Sequence, residues 1–359
     1  MDNRFIGSLT GFLLVVVLTS TSLYAGSFDP DPTAEQSKIT EQFNKNRKEL
    51  WRGRTASLYF EMGTLNAELL SVSATPRRLY ISTGKPYKLL QGQLVKRLPG
   101  GVVHLDLHSV PQRSNFAAIS LTYFARSKFK SAVLSLYRHV NGTLELNTLY
   151  QGDWQLVRPL GNQFYRQTYS PSGSWENPFE RLTTTQSSYE VNGTLSIMKD
   201  ALLSSTTKID ENLWSTITSG GELVVVDHGR IASRINGNFN ASVHRIKPGS
   251  KDDQSNKSDP LRLPAVYFDD RNQLVVIRNP KPSSGYFSWL FGETKQATLE
   301  MFDFKNPLQH KARVGPLPGR ILDFESSRND GSKLFWLRRE NEKTVILESV
   351  DLSPVSKGS

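Results

Sequence analysis

The sequence predicts an all-β fold, a β-propeller of six four-stranded blades. Three observations predict it. Short runs of alternating apolar and polar residues recur after residue 50, a glycine-centred pattern returns about every 50 residues, and the chain's last unit lacks one strand that its beginning can supply. Alternation with a period of two is typical of strands, and repeats at this spacing are typical of ring-shaped folds. Five or seven blades remain open, because the third and fourth units are the least regular.

The N-terminus resembles a secretory signal peptide over residues 1–25. Arg4 precedes an apolar run centred on residues 12–18, and Leu23, Tyr24 and Ala25 provide a small-residue cleavage site. The run is shorter than the roughly 20 residues that span a bilayer, although an uncleaved anchor stays open. We therefore expect an exported protein, either periplasmic or associated with the outer membrane or extracellular. The chain has no cysteine, so disulfides and a lipidated cysteine are excluded. Residues 26–47 are expected to form a tether or a short helix.

The sequence Val-Asn-Gly-Thr-Leu occurs at 140–144 and again at 191–195. The wider pattern of an apolar residue, any residue, Gly, any residue and an apolar residue also fits 90–94 and 235–239. An Asn-Gly pair supports the positive φ angles of a type I′ turn. We therefore expect tight hairpins between outer strands at these glycines, one in each of four successive blades.

A second recurrence predicts how the ring closes. At 94–105, 146–157 and 312–322, an outer strand is followed by a glycine, where the chain passes to the next blade, and then by an inner strand. The same pattern occurs at 49–60, before the first full unit. The last unit has only three strand-like runs, so residues 48–52 are predicted to be its fourth strand, which removes both exposed edges. The predicted blades are 54–99, 100–152, 153–198, 199–246, 261–318, and 319–352 with 48–53. The propeller domain is thus 48–352, with a mobile polar insertion at about 247–260 and a tail at 353–359.

This order of strands resembles that of the bacterial exported propellers with FG-GAP or VCBS repeats, which are related to the integrin α-chain propeller. The resemblance covers residues 48–352 and implies Asp-rich loops that bind calcium. The corresponding loops here lack three spaced carboxylates, and each carries an arginine, Arg113, Arg271 or Arg328. We therefore expect the calcium loops to be degenerate, with no metal and no other cofactor.

The charge balance is basic, because 44 Lys and Arg outnumber 34 Asp and Glu to give a net charge of +10. Such a balance favours anionic surfaces, although the basic residues are scattered, as on a solvated surface. Nucleic acid is not expected as a partner of an exported protein. The expected partner is a protein or an envelope polymer, with peripheral contact to an anionic membrane surface left open.

Two loops, at 169–179 and 283–292, concentrate aromatic residues where polar residues would suffice. Exposed aromatic side chains commonly anchor interfaces, although such rings can instead fold back and cap a blade. On this basis we predict a non-catalytic binding or scaffold propeller at the bacterial cell envelope. It would hold a macromolecular partner through its rim loops. The candidate contacts are Trp175, Phe179, Tyr286, Phe287, Trp289 and Phe291.

The alternative function is an enzyme or a small-ligand binder that uses the central channel of the ring. His104 and Asp106 lie two residues apart on one predicted inner strand, so their side chains share a face, and Asp323 lies on another. The alternative requires these three polar side chains to converge at one end of the channel. An apolar channel would exclude it.

Overall fold

The computed structural model describes residues 34–54, 59–66, 68–75, 77–84, 93–109, 115–125, 128–170, 174–185, 188–246, 259–279, 296–305, 307–326, 333–341 and 343–352. Several predictions fall outside these residues: the signal peptide at 1–25, most of the polar insertion, the tail at 353–359, and the four aromatic residues of the second loop, which are Tyr286, Phe287, Trp289 and Phe291.

The described residues form one helix, α1 (Ala34–Asn46), and strands that assemble into six antiparallel blades of four strands each. Blade 1 comprises β2 (Tyr59–Leu65), β3 (Glu68–Thr75), β4 (Arg78–Thr83) and β5 (Gln93–Arg97). Blade 2 comprises β6 (Gly101–Ser109), β7 (Phe116–Ala125), β8 (Lys128–Arg138) and β9 (Leu144–Asp153). Blade 3 comprises β10 (Gln155–Leu160), β11 (Gln163–Thr168), β12 (Phe179–Thr184) and β13 (Tyr189–Leu195).

The second half of the ring follows a 3-10 turn (Leu203–Ser205). Blade 4 comprises β14 (Thr207–Lys208), β15 (Leu213–Ile217), β16 (Leu223–Asp227) and β17 (Arg230–Ile235). The strands β18 (Ala241–Ile246) and β19 (Asp259–Arg262) pair with each other between blades 4 and 5. Blade 5 comprises β20 (Val266–Phe268), a 3-10 turn (Asp269–Arg271), β21 (Gln273–Arg278), β22 (Gln296–Asp303) and β23 (Gln309–Pro318). Blade 6 comprises β24 (Arg320–Ser326), β25 (Lys333–Asn341), β26 (Thr344–Asp351) and, from the start of the chain, β1 (Arg47–Arg54).

The prediction of a six-bladed propeller closed by an N-terminal strand is confirmed. The strand β1 pairs antiparallel with β26, from Arg47 opposite Val350 to Arg54 opposite Thr344. This pairing supplies the outermost strand of blade 6 and ties the two ends of the domain together. The ring therefore leaves no unpaired gap between its first and last blades, which is how propellers protect their edges.

Each blade is buried on both faces because it packs against a neighbour on either side. Among the described residues, the buried apolar side chains fall into six clusters, and each cluster lies between two adjacent blades. At the closing interface, Phe60 and Met62 of blade 1 pack with Leu337 and Leu347 of blade 6. Full burial of one such side chain contributes about 1.5–3 kcal/mol, so every interface helps to hold the ring closed.

Helix α1 packs over the interface between blades 5 and 6. Its inward face carries Ile39 and Phe43, one helical turn apart. The Phe43 ring is fully buried and stacks on Trp336 with 5.4 Å between ring centroids. The Thr40 hydroxyl accepts a hydrogen bond from the Gly315 N–H at 3.4 Å. Because β1 begins directly after the helix, the helix and the closing strand anchor the ring together.

The repeated turn motif has different roles at its different positions. Gly142, with φ of 82°, lies in the turn between β8 and β9, as predicted. Gly193, with φ of 96°, lies instead within β13, where Asn192 and Gly193 form a bulge opposite Arg181. Gly237 follows the outer strand β17 rather than joining two strands. The hairpin predicted at Gly193 is therefore wrong, because an Asn-Gly pair suits a bulge as well as a turn. The hairpin predicted at Gly237 is wrong because that glycine leads out of blade 4. The fourth predicted hairpin, at Gly92, lies outside the described residues.

Candidate active site in the central channel

The central channel contains a polar cavity of about 440 Å³. The innermost strand of every blade contributes residues to its wall: β2, β6, β10, β14, β20 with the residues before it, and β24. Polar side chains from all six blades line it: Tyr59, Glu61, His104, Asp106, His108, Ser109, Arg158, Asn162, Thr207, Lys208, Tyr267, Asp323, Glu325 and Ser326. Ring closure thus brings together residues that are distant in the sequence.

The cavity opens at the carboxyl ends of the inner strands. On blades 6 and 3, exposure rises in the chain direction: Asp323 is buried and Glu325 is half-buried, while Arg158 is buried and Asn162, just after β10, is exposed. On blade 4, Lys208 is exposed at the same end. A ligand can therefore enter at this end and reach the buried residues below it.

The cavity wall contains a buried ion pair between Asp106 of blade 2 and Arg158 of blade 3. The Arg158 Nε–H donates to both Asp106 oxygens, at 3.2 and 3.1 Å. His104, which shares a face of β6 with Asp106, places its Nε2 at 2.6 Å from the second of these oxygens. Burial acts to raise the pKa of Asp106, but Arg158 and then His104 overcome it, so the pKa lies below its ordinary value. Asp106 is therefore held as a carboxylate.

Arg158 also ties the wall of the cavity to the segment that leads into blade 4. Its Nη1 donates to the carbonyl oxygens of Leu203, Ser204 and Thr206, at 3.2, 3.1 and 2.8 Å. These carbonyls belong to the buried 3-10 turn that precedes β14. One guanidinium therefore positions Asp106 and links blade 3 to the turn that leads into blade 4.

Asp323 of blade 6 lies in the opposite electrostatic environment. Burial raises its pKa well above the ordinary value, the charge of Glu325 adds to this effect, and the charge of Asp106 contributes further. Its partners include two backbone N–H groups, of Phe324 at 3.0 Å and of Phe60 at 3.5 Å, which oppose the shift only in part. Asp323 therefore keeps its proton to higher pH than Asp106 does.

The three channel residues considered in the alternative reading, His104, Asp106 and Asp323, all line this one cavity. Sequence reasoning missed Arg158, Glu61 and Glu325, which lie on the other inner strands or beside Asp323. The available signal was positional, because Glu61 and Arg158 each stand among apolar residues of an inner strand, and Glu325 shares a strand face with Asp323. The sequence does not show which residues of neighbouring inner strands lie at the same height in the channel, so that signal did not indicate a shared site.

The aromatic residues predicted at the rim lie elsewhere. Phe179 is fully buried, and its ring belongs to the cluster that joins blades 3 and 4. Trp175 is half-buried against the same cluster and makes an edge-to-face contact with Tyr169 at 5.0 Å. The expectation that Phe179 is an exposed anchor is wrong, because the first aromatic loop folds back onto its blade.

Among the residues that the structure describes, no three or more His, Cys, Asp or Glu side chains are grouped so as to hold a metal ion. No helix in that part of the chain has the length and apolar character needed to cross a bilayer.

No protein-family model and no curated protein matches the chain. Solved structures do match its fold. A soluble aldose sugar dehydrogenase from Escherichia coli, in its apo-form, has 12% identity and a TM-score of 0.46 over 85% of this chain and 99% of that chain. An α-L-arabinanase from Penicillium chrysogenum in complex with arabinobiose has 11% identity and a TM-score of 0.47 over 85% and 99%. An α-L-arabinofuranosidase from Fusarium graminearum has 11% identity and a TM-score of 0.47 over 86% and 100%.

At these identities the likeness concerns the fold alone. The predicted membership of the FG-GAP or VCBS family gains no support from the matches, and the six-bladed propeller is what they share with this chain. The prediction of a non-catalytic scaffold is corrected by the channel itself. Polar side chains from all six blades converge in one cavity there, as the alternative reading requires.

Proposed function

We propose that this chain is an enzyme that hydrolyses a glycosidic bond of a small saccharide in its central channel, with Asp323 as the general acid and Asp106 as the general base. One observation carries the proposal: two buried carboxyl groups in opposite surroundings line the same open cavity. Such a pair is the minimum that acetal hydrolysis requires, since one group must give a proton and the other must take one.

The reaction proceeds as follows. Asp323 donates its proton to the oxygen of the leaving group as the bond from that oxygen to the anomeric carbon breaks. A water molecule attacks the anomeric carbon, and Asp106 accepts the proton that the water releases. Exchange with solvent then returns Asp323 to its acid form and Asp106 to its carboxylate form. One water is consumed, and two hydroxyl-bearing products leave.

The surrounding residues support these roles. Arg158 and His104 hold Asp106 ionised and fix its orientation. Burial and the charge of Glu325 keep the pKa of Asp323 raised. Groups that both donate and accept hydrogen bonds, among them the Tyr59 and Thr207 hydroxyls, line the same wall and suit a ligand rich in hydroxyl groups. The export signal predicted for residues 1–25 would place this reaction outside the cytoplasm, and it remains a prediction.

The test is a panel of 4-nitrophenyl glycosides of common pentoses and hexoses, in both anomeric forms, together with reducing-end detection on neutral oligosaccharides. We expect turnover of at least one substrate. Asp106→Asn and Asp323→Asn should each lower it by at least about 100-fold, the usual contribution of a general acid or base.

The matched control is Asp153→Asn, which changes a carboxylate at the outer edge of blade 2 that pairs with Lys130. It should leave turnover unchanged. Circular dichroism should show that all three variants are folded. Turnover that survives in both channel variants would refute the proposal, and saccharide binding without turnover would show that the channel is a binding site rather than an active site.

A further inference from the structure

A second cavity, of about 610 Å³, lies at the rim of the ring between blades 1 and 2. Blade 1 contributes the turn between β2 and β3, and blade 2 contributes the start of β7, the end of β8 and the turn into β9. We call this cavity the rim groove. The side chains that matter for its chemistry are Asn66, Asn115, Tyr137, Arg138, His139 and Val140.

The rim groove lies on the same face of the ring as the opening of the channel. The turn that holds Asn66 follows β2 directly, at the carboxyl end of that inner strand. The strand β8 runs in the same direction as β6, because both pair antiparallel with β7, so the turn into β9 reaches this face as well. The Thr64 N–H donates to the Oγ of Ser109, a residue of the channel wall, at 3.0 Å. Two residues of chain, at most about 7 Å, separate Thr64 from Asn66, so the channel and the rim groove adjoin.

Arg138 joins the two sides of the rim groove. It ends β8 on blade 2, and its guanidinium donates across to blade 1, to the Glu68 carboxylate at 2.7 Å and to the Thr83 hydroxyl at 3.0 Å. The Arg138 N–H donates to the carbonyl oxygen of Asn115 at 3.0 Å, which places Asn115 beside it. These bonds preform the groove, and they pair the charge of Arg138 with that of Glu68.

The groups that remain for a ligand are neutral and polar. Within the part of the chain that the structure describes, the amides of Asn66 and Asn115 and the hydroxyl of Tyr137 form no hydrogen bond. All three can donate and accept hydrogen bonds. The Tyr137 ring meets the His139 ring edge-to-face, with 4.9 Å between centroids, and His139 in turn lies 2.6 Å from Glu145. An aromatic surface is therefore held in place beside free amides and a free hydroxyl.

From these observations we propose that the rim groove is a second saccharide-binding site, which holds distant sugar units of an oligosaccharide whose cleaved bond lies in the channel. The inference rests on the proposed function and names the substrate class as oligosaccharides. Sugar hydroxyls pair with amides and phenols, and the C–H face of a sugar packs on side chains such as Tyr137 and Val140. An oligosaccharide that reaches both sites binds more tightly than a single unit, because its second contact is intramolecular.

The test measures binding of cello-, malto-, xylo- and manno-oligosaccharides of one to five units by isothermal titration calorimetry. Asn115→Ala/Tyr137→Ala removes two of the free polar groups and the aromatic ring. Val140→Arg instead fills the groove with a larger side chain, and it should fold normally because Val140 is fully exposed. The matched control is Val191→Arg, which changes the exposed valine of the same pentapeptide, Val-Asn-Gly-Thr-Leu, on blade 3 outside the groove.

We expect at least one series to bind the wild-type chain at least about tenfold more tightly at its longest length than as a single unit. Both groove variants should reduce this gain to less than about threefold and leave the affinity for the single unit unchanged. Val191→Arg should keep the full gain.

An affinity that does not rise with length in any series, or a gain that survives in both groove variants, would overturn the inference. In that case turnover that depends on Asp106 and Asp323 would still support the proposed function. Conversely, groove-dependent binding without turnover of any glycoside or oligosaccharide would support the rim groove as a saccharide site and refute the proposed function.

Discussion

Replacing Arg158 by methionine removes the charge that balances Asp106 in the wall of the channel. The substitution keeps an unbranched side chain of similar length, but it deletes the two contacts to Asp106 and the three to the carbonyls of the 3-10 turn. Asp106 then remains buried with only His104 beside it. Breaking a buried ion pair by removing one partner costs about 3–5 kcal/mol. At neutral pH we therefore expect a loss of free energy of unfolding in this range.

The size of the loss should depend on pH in a defined direction. In the wild-type chain the pKa of Asp106 is lowered, because Arg158 and His104 outweigh burial. Asp106 therefore stabilises the fold above its unfolded pKa of about 3.9, and this contribution disappears as the pH falls through its folded pKa. Without Arg158, burial dominates and raises the pKa, so ionised Asp106 destabilises the variant as the pH rises. The deficit of Arg158→Met should thus be larger at pH 7 than at pH 4.

The assay is urea denaturation of both proteins at pH 4 and at pH 7, followed by tryptophan fluorescence. Arg138→Met is the control, because Arg138 pairs with Glu68 at 2.7 Å on the surface, where Glu68 is half-exposed. A pair of this kind contributes at most about 1 kcal/mol. An equal deficit for Arg158→Met at both pH values would show that the pairing with Asp106 does not stabilise the fold and would refute the reasoning.

Three further predictions concern the ring and its site. Phe43→Ala should lower the free energy of unfolding by about 3–5 kcal/mol, because its fully buried ring stacks on Trp336. Thermal unfolding measures this loss. As a control, Lys45→Ala, at an exposed position of the same helix, should have little effect. Asp323→Asn should gain stability relative to the wild-type chain as the pH rises above about 3.9. Burial and Glu325 raise the pKa of Asp323, so ionising this buried carboxyl group costs free energy in the wild-type chain alone. If the free energy of unfolding depends on pH in the same way in both proteins, the raised pKa is contradicted. Gly193→Ala should destabilise by about 1 kcal/mol or more, because its φ of 96° is unfavourable for a residue with a Cβ.

The architecture was largely predictable from sequence because it rests on local patterns. Alternating residues mark the strands, and the crossing pattern that recurs before residue 59 indicated a closing strand, which the structure forms at Arg47–Arg54. The turns were less predictable. Asn-Gly signals a positive φ angle but not whether the chain reverses there, so Asn192 and Gly193 form a bulge within a strand although Asn141 and Gly142 form a turn.

The site was less predictable because it depends on the register between blades. The Phe60 N–H faces Asp323 although the two residues are 263 positions apart. Arg158 meets Asp106 from the next blade. Neither relation can be read from one strand alone. Aromatic composition misled for a similar reason: a ring in a loop can bind a partner or cover its own blade, and Phe179 covers its own blade.

The most direct test of the account is the protonation state of the two channel aspartates. Carbon-13 NMR on protein labelled at the aspartate side-chain carboxyl, with Asp106→Asn and Asp323→Asn to assign the signals, follows both groups through a pH titration. The account predicts that Asp106 ionises below the ordinary aspartate pKa and that Asp323 holds its proton to clearly higher pH. If both carboxyl groups ionise together in the ordinary range, the channel does not contain a separated acid and base, and the proposed catalysis would be contradicted.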